Sequence, residues 1–328
     1  MRAIQITQLT GPETALASAD IPEPAPDHPM TPGSGVLVDV RAAGVSFPEL
    51  LQTRGAYQVK PDLPFVPGSE VGGVVRAVRG EAAVKPGDRV AAFCGLAAWA
   101  QTAVAPGYFC FKIPDGWDYA QGAALVLNYH TAYFALVGRG RVAEGETVVV
   151  HGAAGGVGTA TLQVAKARGA RTIGVVSTDE KERVARAAGA DEVVRSDGPW
   201  KDQIREMTDG GADIVLDPVG GDRFTDSLRS LREFGRLVVV GFTGGSIPEV
   251  RVNRLLLNNT EVIGAGWGAS VIGWPERTKR IGAAVEGMIE AGQIDPIVGA
   301  RFPLDDAADA LALLDGRGAT GKVVLDVA

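Results

Sequence analysis

The sequence predicts a two-part α/β protein: a rolled β domain, then a doubly wound domain built on a six-stranded parallel sheet, with the tail returning to the first part. Three observations predict it. The first ~120 residues carry short β-rich runs cut by Pro-Gly and Gly turns. From about Asp118 apolar strands alternate with segments of helical period, the pattern of a parallel sheet covered on both faces. Those strands number enough for one full doubly wound sheet.

In the first part, strands are expected at Arg2–Thr7, Val36–Ala42, Val71–Val78 and Arg89–Phe93, forming a rolled antiparallel sheet. Lys85-Pro86-Gly87-Asp88 puts proline where a fixed φ favours a tight turn and glycine where positive φ is allowed. The proline-rich segment Ile21–Gly35 reads as a surface loop. In the second part, strands are expected at Thr147–His151, Thr172–Val176, Glu192–Val194, Asp213–Asp217, Leu237–Gly241 and Val262–Gly264. Helices are expected between them at Val157–Arg168, Glu180–Ala188, Lys201–Met207 and Phe224–Arg232. A helix from Trp274 through Ile289, another at Asp305–Leu314 and a closing strand Lys322–Val327 form the returning tail. The expected division is 1–122 with 268–328, and 123–267.

The chain has 328 residues and is 46% apolar, enough for two domains with an extensive core and no staples. Two cysteines, Cys94 and Cys110, make no disulfide framework, and no N-terminal run has the apolar core of a signal peptide. The expected home is a reducing cytoplasm. The longest apolar runs, such as Leu237–Val240, fall far short of the ~20 residues needed to span a bilayer. A net charge of -7 with interspersed signs supplies no basic stripe for a nucleic acid.

Ala153-Ala154-Gly155-Gly156-Val157-Gly158 follows a strand and opens a helix in a βαβ unit, the context in which a glycine turn grips a dinucleotide. Gly155 lets the backbone approach a pyrophosphate, Gly158 lets helix and sheet pack closely, and the helix N-terminus favours negative charge. Ala153 departs from the strict fingerprint. An NAD site usually has a carboxylate at the end of the second strand; here the chain reads Val175-Val176-Ser177-Thr178. Nothing there repels a 2′-phosphate of about -1.5 to -2 charge. Ser177 can bond it, and Lys181, Arg183 or Arg195 can supply positive charge, so NADPH is favoured over NADH. In the alternative reading, Ser177 and Glu180 form a capping box and the cations are solvated.

Ala42-Ala43-Gly44-Val45-Ser46, Leu63 to Val75, Lys85 to Val90, His151 to Gly158, Ala188-Gly189-Ala190-Asp191 and Gly321-Lys322-Val323-Val324 occur in an order and spacing that resemble one family. It is the medium-chain dehydrogenase/reductase superfamily, in its zinc-free quinone oxidoreductase, or zeta-crystallin-like, branch. The resemblance covers essentially the whole chain and implies a GroES-like β domain, a Rossmann domain, a homodimer and a small-molecule acceptor. In zinc-containing relatives the metal ligands fall, by resemblance, at Ser46, Ser69 and Leu127, none of which replaces a thiolate or imidazole. The four-cysteine structural loop is missing too, so no metal is expected.

Without a Lewis acid the acceptor must itself tolerate negative charge, as a quinone or a conjugated carbonyl does, and its oxygen needs a hydrogen-bond donor. Tyr57, in Arg54-Gly55-Ala56-Tyr57, is the first candidate, since a phenol can bond the developing anion and pass a proton. It matches a substrate-site tyrosine of bacterial quinone oxidoreductases, and its segment resembles the stretch bearing the catalytic tyrosine of mitochondrial-type enoyl thioester reductases; packing as a loop tyrosine is the alternative. Ser46 stands where the branch has asparagine and can donate through its hydroxyl. Asn128 is expected toward substrate and Thr131 toward cofactor, with capping or core packing open for both. Gly241-Phe242-Thr243 ends a strand at the carboxyl edge, where open α/β sheets bind ligands. Gly266 and Trp267 follow the sixth strand, with Trp267 either cofactor wall or core. Arg317 matches a position reaching the adenosine phosphate in some relatives; a solvated loop arginine is the alternative. Three functions stay open: an NADPH-dependent quinone reductase, an enoyl thioester or enone reductase using Tyr57, and an NADPH-binding protein with little turnover.

Overall fold

Strand Gly35–Val45 organises the first part of the molecule, because almost every residue in it is buried and it therefore needs partners on both edges. In the computed structural model, which describes all residues from Met1 to Ala328, it pairs antiparallel with Glu70–Arg79 along one edge. Along the other edge Thr102–Ala105 takes its first half and Lys322–Asp326 its second. Register shifts at Leu37/Val38 and Val40/Ala42 bend the strand, as bulges do. Arg89–Phe93 and Cys110–Lys112 extend the sheet beyond Glu70–Arg79, and Val298–Pro303 extends it beyond Lys322–Asp326. That last pair is parallel, so the expected antiparallel sheet has one exception. The hairpin Arg2–Ile6 with Leu16–Asp20 bridges to Ala100 and Phe65 and closes the roll. Trp99 is fully buried within it and its indole N–H donates to the Gly44 carbonyl at 2.9 Å.

The second part is a six-stranded parallel sheet. In spatial order its strands are Glu192–Arg195, Arg171–Val176, Thr147–His151, Ala212–Asp217, Leu231–Val239 and Glu261–Gly264. The two central strands are buried at every residue, as strands covered on both faces must be. The order reverses direction at Thr147–His151, which places the topological switch point beside the glycine turn. Helices Gly156–Ala167, Asp179–Ala187, Trp200–Met207 and Phe224–Arg229 make the crossovers.

Two expected elements meet differently. The helix from Phe224 stops at Arg229 and the next strand begins at Leu231, which pairs with Ala212. The register then jumps to Ile214 with Arg236, and Phe234 takes φ +61°, so residues 232–235 loop out of the ladder. The strand ends at Val239, two residues before the expected Gly241, although the Val240 N–H still donates to Asp217 O.

The compact units are Met1–Leu127 with Ile272–Gly282 and Pro296–Ala328, and Asn128–Val271 with Ala283–Asp295. They differ from the expected division at both of its boundaries, and Ala283–Asp295 in addition returns to the second unit. Residues 123–127 stay with the first unit, where the Leu127 N–H donates to Glu70 and the Ala123 N–H to Tyr119 O. Asp295 stays with the second, held by reciprocal bonds to the Gln163 side chain at 2.8 Å. No helix is long and apolar enough to cross a membrane.

Candidate functional site

In the second unit, strand Thr147–His151 turns at Gly152, with φ +58°, and the helix starts at Gly156 with Gly155 as its cap. The glycines of this turn serve different ends. A Cβ on Gly158 would lie 2.1 Å from Gly152 O and 2.8 Å from the Ala153 Cα, so close helix–strand packing demands glycine there. Gly155 has φ -83° and would meet only Gly152 O, at an ordinary 3.4 Å. Nothing in the fold requires glycine at 155, which leaves its open side to an anion facing the helix N-terminus. A Cβ on Gly156 would meet the Asn128 amide at 2.7 Å. Asn128, expected toward substrate, therefore lies over the glycine turn. Thr131, one turn along helix Val126–Tyr133, is buried, Ala154 is buried and Val157 is half-buried.

Ser177, Lys181 and Arg195 come together at the end of strand Arg171–Val176. Lys181 Nζ donates to Ser177 Oγ at 3.4 Å and Arg195 donates to Ser177 O at 2.6 Å, while also pairing with Asp179. The helix cap is Thr178, whose hydroxyl accepts from the Lys181 N–H. The capping box of Ser177 with Glu180, the alternative reading, does not form, and the Ser177 hydroxyl stays at the strand end. Along the carboxyl edge, both the N–H and hydroxyl of Thr243 donate to Pro218 O, and Gly244 N–H donates to Val219 O. These bonds fix Gly241-Phe242-Thr243 beside the end of Ala212–Asp217. A Cβ on Gly264 or Gly266 would meet nothing within 4 Å. Arg139 donates to Gly264 O at 2.9 Å. Trp267 is corrected to a core residue: its ring is buried, edge-on to His130 at 5.8 Å between centroids. Arg317 lies in the first unit, in the exposed turn after helix Ala307–Asp315, with φ +56°.

The first unit brings Ser46, Ser69 and Leu127 around one buried network. Ser46 caps helix Phe47–Gln52, and its N–H donates to Glu49 Oε2 at 2.8 Å. Ser69 donates to Glu49 Oε1 at 2.7 Å. The Leu127 N–H donates to Glu70 Oε2 at 2.8 Å. Lys322 fills the centre: its Nζ lies 2.5 Å from both Glu70 Oε1 and Ser46 Oγ. Burial lifts the Glu49 carboxyl above its usual range, against the opposing pull of Ser69 and Lys322. Tyr57, half-buried in the loop after this helix, has its phenol pushed up by burial and by Glu49, so it stays protonated near neutral pH. No three His, Cys, Asp or Glu side chains cluster in a way that could hold a metal ion. Cys94 and Cys110 are unpaired and buried, and burial pushes Cys94 up to about 12, which makes it an inert core group.

Glu49, Glu70 and Lys322 were missed as site residues in the sequence. The available signal was a charge inside an apolar strand, Lys322-Val323-Val324-Leu325, since a buried charge demands a partner.

Comparison with known proteins agrees with this architecture. The alcohol dehydrogenase GroES-like domain matches residues 32–115, and the zinc-binding dehydrogenase family matches 156–283. Human quinone oxidoreductase is 35% identical over 99% of this chain and 97% of its own length. A mycobacterial protein, Rv1454c, solved in complex with NADPH, superposes with a TM-score of 0.90 at 34% identity over 100% of both chains. Escherichia coli quinone oxidoreductase complexed with NADPH gives 0.88 at 28% identity, again over 100% of both. The chain belongs to the zinc-free quinone oxidoreductase branch of the medium-chain dehydrogenase/reductase superfamily.

Proposed function

We propose that the protein is an NADPH-dependent, zinc-independent reductase of quinones or similar conjugated carbonyl acceptors. The observation that carries the reading is the donor set around Ser46, which offers hydroxyls, carboxylates and an ammonium but neither thiolate nor imidazole. Such a set suits an acceptor that stabilises its own negative charge. The NADPH-bound relatives support the choice of nucleotide.

The residues present fit that nucleotide. Gly155 leaves room for the pyrophosphate against the helix N-terminus, and Ala154, Gly156 and Val157 shape the turn. Ser177, Lys181 and Arg195 form a cationic strand end suited to the 2′-phosphate. Gly241, Phe242, Thr243 and Gly266 lie on the carboxyl edge and Asn128 lies over the turn, which with Thr131 of the same helix would orient the nicotinamide half. When bound, the cofactor supplies a hydride. On the acceptor side, Ser46 and the protonated Tyr57 hold the oxygen and deliver a proton.

The homodimer reading is supported by the unpaired edge of strand Glu261–Gly264 and by the exposed Leu256 and Leu257 just before it, both about three-quarters exposed. The buried, unpaired thiols suit a reducing cytoplasm.

The test is oxidation of NADPH and of NADH by chelator-treated protein, with quinones and a 2-enoyl thioester as acceptors. Quinone turnover that prefers NADPH and survives chelation is expected. Preference for the thioester, or loss of turnover restored by zinc, would overturn the reading.

A further inference from the structure

A lysine only 2% exposed, in contact with a carboxylate only 1% exposed, is a costly arrangement for holding two strands together. Well-packed apolar residues usually hold such a position as well or better. The first unit nevertheless goes to some length to admit this one. A Cβ on Gly44 would lie 2.8 Å from the Lys322 Cε, from the Glu70 Cγ and from Ala123 O. Gly44 is thus the space through which the lysine stem reaches Ser46. The carboxylate oxygens around it each have a donor: Glu70 takes Lys322 and the Leu127 N–H, and Glu49 takes the Ser69 hydroxyl and the Ser46 N–H. Ser46, Ser69 and Leu127 remain part-exposed, and of these Ser46 is the one whose hydroxyl meets the Lys322 ammonium.

The chemistry of that contact is directional. An ammonium has protons and no lone pair, so Lys322 can only donate to Ser46 Oγ. Once Oγ accepts from an ammonium, the hydroxyl's own hydrogen is turned away from Lys322 and made more acidic, as charge-assisted bonds do.

We propose that Lys322 is a positioning residue that makes the Ser46 hydroxyl an obligate donor to the acceptor oxygen and replenishes its proton. This rests on the acceptor reading above. Hydride brings two electrons and one proton to the acceptor and leaves one of its oxygens anionic. The Ser46 O–H bond then breaks and a new O–H bond forms on the acceptor. An N–H bond of Lys322 breaks in concert, and its proton passes to Ser46 Oγ while the nitrogen keeps the electron pair. Lys322 is left neutral beside the Glu70 carboxylate. When the product leaves, a proton from water returns through Ser46 and restores the ammonium.

Four proteins test this: the wild type, Ser46→Ala, the charge-neutral pair Lys322→Met with Glu70→Gln, and all three changes together. Each is assayed for NADPH affinity by fluorescence, for kcat and KM with a quinone, and for binding of 4-nitrophenol, whose coloured anion imitates the half-reduced acceptor. Expected are unchanged NADPH affinity and a fall of about 100-fold in kcat for Ser46→Ala and for the charge-neutral pair. The combined protein should be no slower than either, because the residues act as one unit. The wild type should hold 4-nitrophenol as its anion at a lower pH than water does, and both variants should lose that effect. Variants that keep kcat within about threefold, or whose losses multiply, would overturn the proposal. A wild type with no quinone turnover would sink the acceptor reading instead, and the nitrophenol spectrum would still decide the Lys322–Ser46 pair. If the charge-neutral pair does not fold, the proposal stands or falls on Ser46→Ala, where an unaltered nitrophenol spectrum refutes it.

Discussion

Gly155 and Gly158, three residues apart in one turn, should fail in opposite ways when replaced by alanine. At Gly158 the new Cβ would start 2.1 Å from Gly152 O, whereas real contacts keep beyond 3.0 Å, so helix Gly156–Ala167 must retreat by about 0.9 Å. That helix is buried along most of its length, and overpacking of this kind costs about 3 kcal/mol. At Gly155 the added methyl meets Gly152 O at 3.4 Å and needs no change of φ. The poorer cap and the stiffer unfolded chain nearly cancel, leaving stability within about 1 kcal/mol of wild type. The methyl does occupy the space in which a pyrophosphate would approach the helix N-terminus. NADPH affinity should therefore fall at least about tenfold, or about 1.4 kcal/mol. Denaturant unfolding and fluorescence titration with NADPH measure the two effects separately. A Gly155→Ala protein that is as unstable as Gly158→Ala, or that binds NADPH normally, would refute the division of labour.

Arg195→Ala removes one cation from the Ser177 strand end and should lower the NADPH-over-NADH preference in kcat/KM about tenfold, leaving the NADH value unchanged; an equal loss with both nucleotides would argue against a 2′-phosphate contact. Acid should weaken the fold through His151, which burial holds down to about 4 from 6.5. Being neutral in the fold, it contributes full stability above pH 6.5 and loses it as pH falls toward 4, by about 3 kcal/mol in all. His130, held down to about 3 by burial, adds to the loss in the same direction. Urea midpoints at neutral and acid pH, compared with His151→Gln, check this, and an undiminished pH slope in the variant would reject it. Leu257→Asp, at a position 77% exposed, should change unfolding stability by less than about 0.5 kcal/mol while converting a dimer to a monomer in sedimentation. A wild type that already sediments as a monomer would remove the basis for it.

The elements read well from the sequence are those whose own residues carry the period. Thr147–His151 and Arg89–Phe93 lie at their expected bounds, and the helix over Gly156–Ala167 is displaced by one residue at each end. The missed ones are held by partners. Thr102–Ala105 is four residues long and is a strand because Gly35–Val45 offers it an open edge. Val298–Pro303 contains glycine, arginine and proline and is drawn into the sheet by Lys322–Asp326. The same contrast holds in the site. The Gly155–Gly158 turn is local, and its roles follow from spacing. Asn128 over Gly156, and Trp267 turned into the core against His130, depend on which way a helix rolls. Periodicity does not report that.

The partners of Lys322 lie beyond any local reading, since Ser46 is 276 residues away and Glu70 252. Yet the charges of the cluster make the lysine's presence intelligible. Glu49 and Glu70 are buried together, and two unpaired carboxylates there would oppose any negative charge arriving on an acceptor. Lys322 offsets Glu70 directly, and burial lifts the Glu49 carboxyl toward its neutral form. The cluster can then present a hydroxyl to a developing anion without net repulsion behind it. Ser46, Ser69 and Leu127 are therefore not sufficient by themselves to make this site. An ammonium must stand where it balances the buried carboxylates, and in this chain the closing strand provides it.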